Sequence, residues 1–287
     1  MPFAFLFAFV SLCFLLPGAG EAAESSLAIV QAGVQQADDA PFVPADYQFL
    51  PGDYIFFTFE VSGFGIETTP DTQTRRISLA YEVTPEDMHG TPLAAPNSGT
   101  VAVELAPEDK HWTPKRRASF LLPSDIAAGE FRMHVAVKDL IAKTEVDRNV
   151  PFRVGGIAIQ PSSALTIEKF QFFRKETDRK PLELPAYSRG DSVYMRFDLV
   201  GFQVAPQNRY HLSYGLTVLS PDGRIFLEQP KAAEIEDRNF YPAQFVPAAL
   251  HVTTSPKSEL GQYTILLKAH DLVGNQTYEA KQAFTIE

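Results

Sequence analysis

The sequence predicts an all-β protein, in which two tandem antiparallel β-sandwich domains follow an N-terminal signal peptide. Three observations carry that prediction: an apolar leader, an internal repeat, and strict period-two alternation within the repeated blocks. The 287 residues are 45% hydrophobic and include 23 Phe, 22 Pro, 17 Gly and a single Cys. That balance suits a folded, β-rich chain.

The leader comes first. Apolar residues run from Phe3 to Leu16, Pro17-Gly18-Ala19-Gly20 breaks the run, and Ala22 and Ala23 follow. An apolar stretch of this length ending at small residues reads as a signal peptide over residues 1–23, with Gly20 and Ala22 at the −3 and −1 places. No Lys or Arg precedes the run, so the α-amino group supplies the only positive charge, and a retained N-terminal anchor is the alternative. No second run is long enough to span a bilayer. Export places the mature protein in the periplasm or outside the cell. Cys13 lies inside the leader and reads as part of its apolar core, so the mature chain has neither disulfides nor a cysteine nucleophile.

About 265 residues then remain, enough for two cores of roughly 100–150 residues each. They contain two copies of one pattern. Leu50 to Phe64 recurs as Ser188 to Phe202 at an offset of 138, which also sets Leu27 and Ile29 on Leu165 and Ile167. Leu79-Ala80-Tyr81 recurs as Leu212-Ser213-Tyr214 at 133, and Gly129 to Phe152 as Gly261 to Phe284 at 132. The offset changes only between blocks, as loop insertions would make it. Each block alternates. Ile55, Phe57, Phe59 and Val61 share one face, as do Val193, Met195, Phe197 and Leu199 in the second copy. Ile77, Leu79, Tyr81 and Val83 and then Phe131, Met133, Val135 and Val137 behave alike. Such alternation marks half-buried antiparallel strands, and turn signals such as Pro51-Gly52-Asp53 and Gly274-Asn275 separate them. Seven or so strands per copy predict a two-sheet sandwich. The domains expected are 26–156 and 164–287, joined by a short linker around Val154 to Ser163 that limits their reach without fusing them.

The last segment resembles a known class. Gly261-x-Tyr263 through Asp271, Gly274-Asn275 and Phe284-Thr285-Ile286 is similar to the final hairpin of bacterial immunoglobulin-like and fibronectin-III-like modules. The resemblance implies that the Tyr263 hydroxyl bonds an upstream backbone group, as at a tyrosine corner. Antibody-type domains differ: Ile265 stands where their second cysteine would be. Copy one has Phe131 in place of Tyr263, and Ile141-Ala142-Lys143 where copy two has its Gly-Asn turn.

The formal net charge is −10, with −8 on residues 24–156 (19 acidic against 11 basic) and −1 on 157–287 (15 against 14). That balance argues against nucleic acid, whose phosphates need a basic face. No His-Glu-x-x-His, Gly-x-Ser-x-Gly or phosphate loop occurs, and no two of the six histidines are set at a metal-ligand spacing. No metal or cofactor is therefore expected, nor an enzyme. Asp139 and Asp271 occupy the same hairpin tip in both copies and read as turn caps. One motif stands apart: Glu108-Asp109-Lys110-His111-Trp112-Thr113-Pro114 echoes Glu236-Asp237-Arg238-Asn239-Phe240-Tyr241-Pro242 at an offset of 128. Trp112 and Phe240 are expected either to plug the open edge of each sandwich or, beside Lys110 and Arg238, to contact a partner. The expectation is a non-catalytic interaction or scaffold protein that meets a protein or cell-surface component. A carbohydrate-binding module and an enzyme with a dispersed loop site are the alternatives.

Overall fold

The computed structural model describes residues 26–106, 108–109 and 112–287; the expected signal peptide, Cys13 and Lys110 lie outside them. Residues 28–154 form strands β1 (Ala28–Gln35), β2 (Gln48–Phe49), β3 (Tyr54–Ser62), β4 (Glu67–Thr68), β5 (Arg75–Asp87), β6 (Asn97–Leu105), β7 (Lys115–Leu121), β8 (Gly129–Asp139) and β9 (Glu145–Val154). Residues 166–286 form β10 (Thr166–Phe173), β11 (Ala186–Tyr187), β12 (Ser192–Val200), β13 (Arg209–Leu219), β14 (Ile225–Arg238), β15 (Phe245–Thr253), β16 (Gly261–Asp271) and β17 (Gln276–Ile286). A three-residue 3-10 turn at Pro206–Asn208 is the only helical element among the described residues.

The sheets reproduce the repeat. In the first sandwich β1-β3-β7 faces β2-β9-β8-β5-β4, with β6 also paired to β5. In the second, β10-β12-β15 faces β11-β17-β16-β13-β14. Among the described residues only the two-residue strands β2 and β11 pair in parallel, with β9 and β17. Even the irregularities recur. The β1–β3 register shifts between Val30 and Gly33, and the β10–β12 register between Glu168 and Gln171. The bulged residues Gln31 and Lys169 both take a positive φ, 47° and 49°. An irregularity repeated at the same place is a property of the module, not of one copy.

Alternation explains which side chains form the cores. Ile55, Phe57, Phe59 and Val61 of β3 and Ile77, Leu79 and Val83 of β5 are buried, as are Val193, Met195, Phe197 and Leu199 of β12. Three aromatic rings repeat as a unit. Phe49 meets Phe152 edge-on and Phe131 stacks on it; Tyr187, Phe284 and Tyr263 do the same in copy two. The hydroxyl of Tyr263 donates to the Glu259 carbonyl at 3.1 Å, the upstream backbone bond its position implied. Burial pushes the Tyr187 phenol up to about 12, and its hydroxyl donates to the Phe173 carbonyl at 2.9 Å.

Each hairpin tip is tied by an aspartate to the loop that crosses between the two sheets. One oxygen of Asp139 accepts from the amides of Ile141 and Ala142, and the other from Gly65. One oxygen of Asp271 accepts from Val273 and Gly274, and the other from the Gln203 amide and the Gln276 side chain. The expected turn caps thus also brace the loop that joins the two sheets.

The linker departs from expectation. The amide of Ala128 donates to the Ile157 carbonyl at 2.9 Å, and Lys169 Nζ to the Ala158 carbonyl at 2.6 Å. Ala127, Val200 and Phe245 bury one another, with Ile159 of the linker packed on them. The two sandwiches share a packed junction, and Ile157, Ala158 and Ile159 of the connection are part of it.

Candidate functional site at the domain junction

The junction is built by one loop of the second sandwich. Between β14 and β15 the chain turns at residues 239–244 and meets the β7–β8 loop and the end of β5 in the first sandwich. Tyr241 is 4% exposed and sits among the buried residues of the first core, although its sequence belongs to the second copy. Its hydroxyl donates to Asp87 Oδ2 at 3.3 Å and accepts from Gln244 Nε2 at 2.9 Å. Gln244 Oε1 takes the Ala127 amide at 3.2 Å, and Asn239 Nδ2 donates to Asp125. Burial, with the negative charge of Asp87 close by, pushes the Tyr241 phenol far up, so it stays a donor.

Asp87 answers in the opposite sense. Burial works against its ionisation, but the backbone amides of Thr91 and His89, the Thr91 side chain and the Tyr241 hydroxyl together hold its carboxyl below the usual 3.8. Beside this contact the two sandwiches leave a cleft of about 580 Å³. The first sandwich supplies Leu93 to Ala95 and Leu121 to Asp125; the second supplies Arg238 to Tyr241. Leu121 is 52% exposed and Phe240 59%, while Tyr54, paired with Leu121 across β3 and β7, is 60% exposed. Arg238 reaches only the Gln207 side chain, at 3.4 Å, and forms no ion pair among the described residues. The cleft therefore offers an apolar wall, an aromatic face and a free guanidinium. Its lining has no histidine or cysteine, and Asp125 is already held by Asn239.

The predicted residues are thus dispersed. Phe240 and Arg238 share the cleft. Trp112, 38% exposed, lies in the β6–β7 loop of the first sandwich, away from it. Phe240, more than half exposed, does not plug a sandwich edge: the buried aromatic of its motif is Tyr241, one residue beyond it. Tyr263 and Phe131 lie in the cores.

The strand register also corrects the alignment that paired the two rings. Lys115 opposes Glu60 and Pro247 opposes Asp198. Glu60 and Asp198 are equivalent at 138, so β7 and β15 align at 132, and Trp112 stands at the place of Gln244. Likewise Arg238 closes strand β14 opposite Arg209, whereas Lys110 follows the end of β6 at Leu105. The first copy's loop is longer, which lets similar letters align out of register. Sequence reasoning missed Tyr241, Gln244, Asp87 and Asp125. A tyrosine beside a repeated proline was the one signal that could have found them.

Among the described residues no group of three or more His, Cys, Asp or Glu is placed to hold a metal ion, and no helix is long and apolar enough to cross a membrane. No known protein-family profile matches the chain, and no curated protein sequence matches it. Among solved structures, the chain is similar to the C-terminal domain of the Streptococcus agalactiae AgI/II polypeptide BspA. The identity is 10%, 89% of this chain and 99% of that chain are covered, and the TM-score is 0.30.

Proposed function

We propose that this chain is an exported, non-catalytic interaction protein whose contact surface is the cleft between its two sandwiches. The observation that carries this reading is Phe240. A phenylalanine 59% exposed in a cleft walled by both domains, beside an arginine with no ion pair among the described residues, is the composition of a contact site. The leader supports export, to the periplasm or the cell exterior. The packed junction supports a fixed presentation, because a partner that bridges both walls does not have to order them first. The fit is to a protein or cell-surface component that offers an apolar side chain with an acidic or polar neighbour for Arg238.

The test is binding of the exported protein to immobilised cell-envelope extract from its own source, wild type against Phe240→Ala and Arg238→Ala. At least a tenfold loss with each variant, about 1.4 kcal/mol in binding, is the expected result. Binding unchanged in both would overturn the reading. A glycan-array signal that depends on Phe240 would transfer the site to carbohydrate, and turnover in a hydrolase screen would replace the non-catalytic reading.

A further inference from the structure

We propose that two copies of the chain pair edge to edge through β6, antiparallel about a two-fold axis at Val101, so that their six-stranded sheets run on into one. The pairing does not depend on what the junction cleft holds. Its ground is that β6 is the one long sheet edge that nothing among the described residues blunts. β6 pairs with β5 and with no other strand among them, so every second residue aims its N–H and C=O away from the sheet. Proteins guard such edges with lysine, proline, bulges or charges, because a free edge is a template for another strand.

Every other long edge carries a guard. β1 and β10 bulge at Gln31 and Lys169, both at positive φ. β7 carries Lys115, Arg116 and Arg117, and Pro247 interrupts β15. β14, the counterpart of β6 in the second sandwich, has Pro230 and Lys231 and twice loses register with β13. β9 and β17 are covered at one end by β2 and β11, and their open stretches hold Arg148 with Pro151 and Glu279 with Lys281. From Asn97 to Leu105, β6 has no Lys, Arg or Pro, and its register with β5 is unbroken. Its one charge, Glu104, stands next to its end. The free edge is about 30 Å long.

The pattern of the strand itself selects a second copy as the occupant. A two-fold axis normal to the sheet keeps each side chain on its own face, so odd-numbered residues must oppose odd ones. Centred on Val101, the pairing sets Val103 against Gly99, Leu105 against Asn97, Thr100 against Ala102 and Glu104 against Ser98. On the core face Val101 and its neighbour Leu79, both in the first core, meet their own images and carry the apolar row across the axis. Val103, 36% exposed, comes opposite the one residue of β6 without a side chain. A Cβ on Gly99 would stand 2.6 Å from the Tyr81 hydroxyl, so the Tyr81 ring reaches the rim of the sheet over that glycine. Val103 of the second copy would cover the ring there. On the outer face the central rows, Ala80 with Thr100 and Ser78 with Ala102, hold no charge. Glu104 lies beside Arg76 of its own chain and opposes Ser98, with Glu82 one strand further off, so no charge directly faces its like. The contact occupies both free edges, so it closes at two chains instead of growing.

One pair of strands is a small interface, and sedimentation equilibrium of the protein from about 1 to about 500 µM covers the range of such weak contacts. A monomer–dimer equilibrium with nothing larger is expected. Thr100 and Ala102 are exposed and face each other across the axis, so together they report the register. Thr100→Lys with Ala102→Lys sets lysine against lysine at two places and should weaken the dimer at least tenfold. Thr100→Lys with Ala102→Glu sets lysine against glutamate at the same two places and should keep the dimer at wild-type strength or tighten it. An unchanged thermal melt checks that both double variants are folded. A monomer at every concentration overturns the proposal, and so does growth past two chains. A dimer that both double variants leave unchanged places the contact elsewhere, and one that both weaken alike denies the pairing of residue 100 with 102; either result overturns it too.

Discussion

At the residue scale the module is held by a few side chains that serve more than one partner. Asp271 is 1% exposed and satisfies three backbone amides and one side-chain amide. Asp271→Ala leaves those donors buried without an acceptor, a loss of about 3 kcal/mol or more given 1–3 kcal/mol per unsatisfied group. Urea unfolding followed at the second sandwich measures it. The sequence marked Asp139 and Asp271 as turn caps because capping is local and the acid recurs at the same hairpin tip. It could not show their reach to Gly65 and Gln203, 74 and 68 residues away, since nothing in the pattern brings those loops together. The same tip holds a testable imperfection. Lys143 takes φ 60° where copy two uses Asn275 at 51°. Exposed lysine meets a steric cost in that left-handed region that asparagine tolerates better. Lys143→Asn should therefore stabilise the first sandwich by about 0.5 kcal/mol, read as a higher urea midpoint at unchanged slope.

At the scale of elements, strands were legible and loops were not. The blocks that align β3 with β12 and β8 with β16 alternate with period two, and each face meets the core that the alternation assigned to it. Thr58 shows one limit: it lies on the face expected to meet water, yet it is buried where its hydroxyl donates to Gln35 at 2.6 Å. A loop has no such period, so letters alone aligned Trp112 with Phe240, and the register of β7 with β15 separates them. Exposure then decides what each ring does for stability. Phe240→Ala removes little buried area and should change the unfolding free energy by no more than about 0.5 kcal/mol, as at other exposed sites. A loss of 3 kcal/mol or more, the cost of a buried aromatic, would show that the loop closes over the ring in solution.

At the scale of the whole molecule, the junction makes two similar sandwiches into one coupled body, and its key contact joins residues 154 positions apart. Acid tests one part of it. The carboxyl of Asp87 is held below its ordinary 3.8 in the folded protein, so its contribution is complete above that value and is lost as pH falls through the lower folded value. Coupling between the sandwiches should thus persist through mildly acidic pH and weaken only in strong acid, followed as the separation of two thermal transitions. Expressing the copies apart is the sharper experiment. Every strand of each sandwich lies wholly within 26–156 or 164–287, so both halves should unfold cooperatively. They should not be equal to their counterparts in the intact chain. The first half loses Tyr241 from its core, which uncovers part of the surface around Leu93 and Ile126, and a buried aromatic is worth about 3–5 kcal/mol. The second half keeps its own core but exposes Tyr241 and Phe245, which costs little stability and invites association. The first half should therefore melt well below the intact protein, and Tyr241→Ala in the full chain should lower the first transition by a comparable amount. If the isolated first half melts with the intact protein, Tyr241 is a passive guest in that core and the junction does not couple the domains.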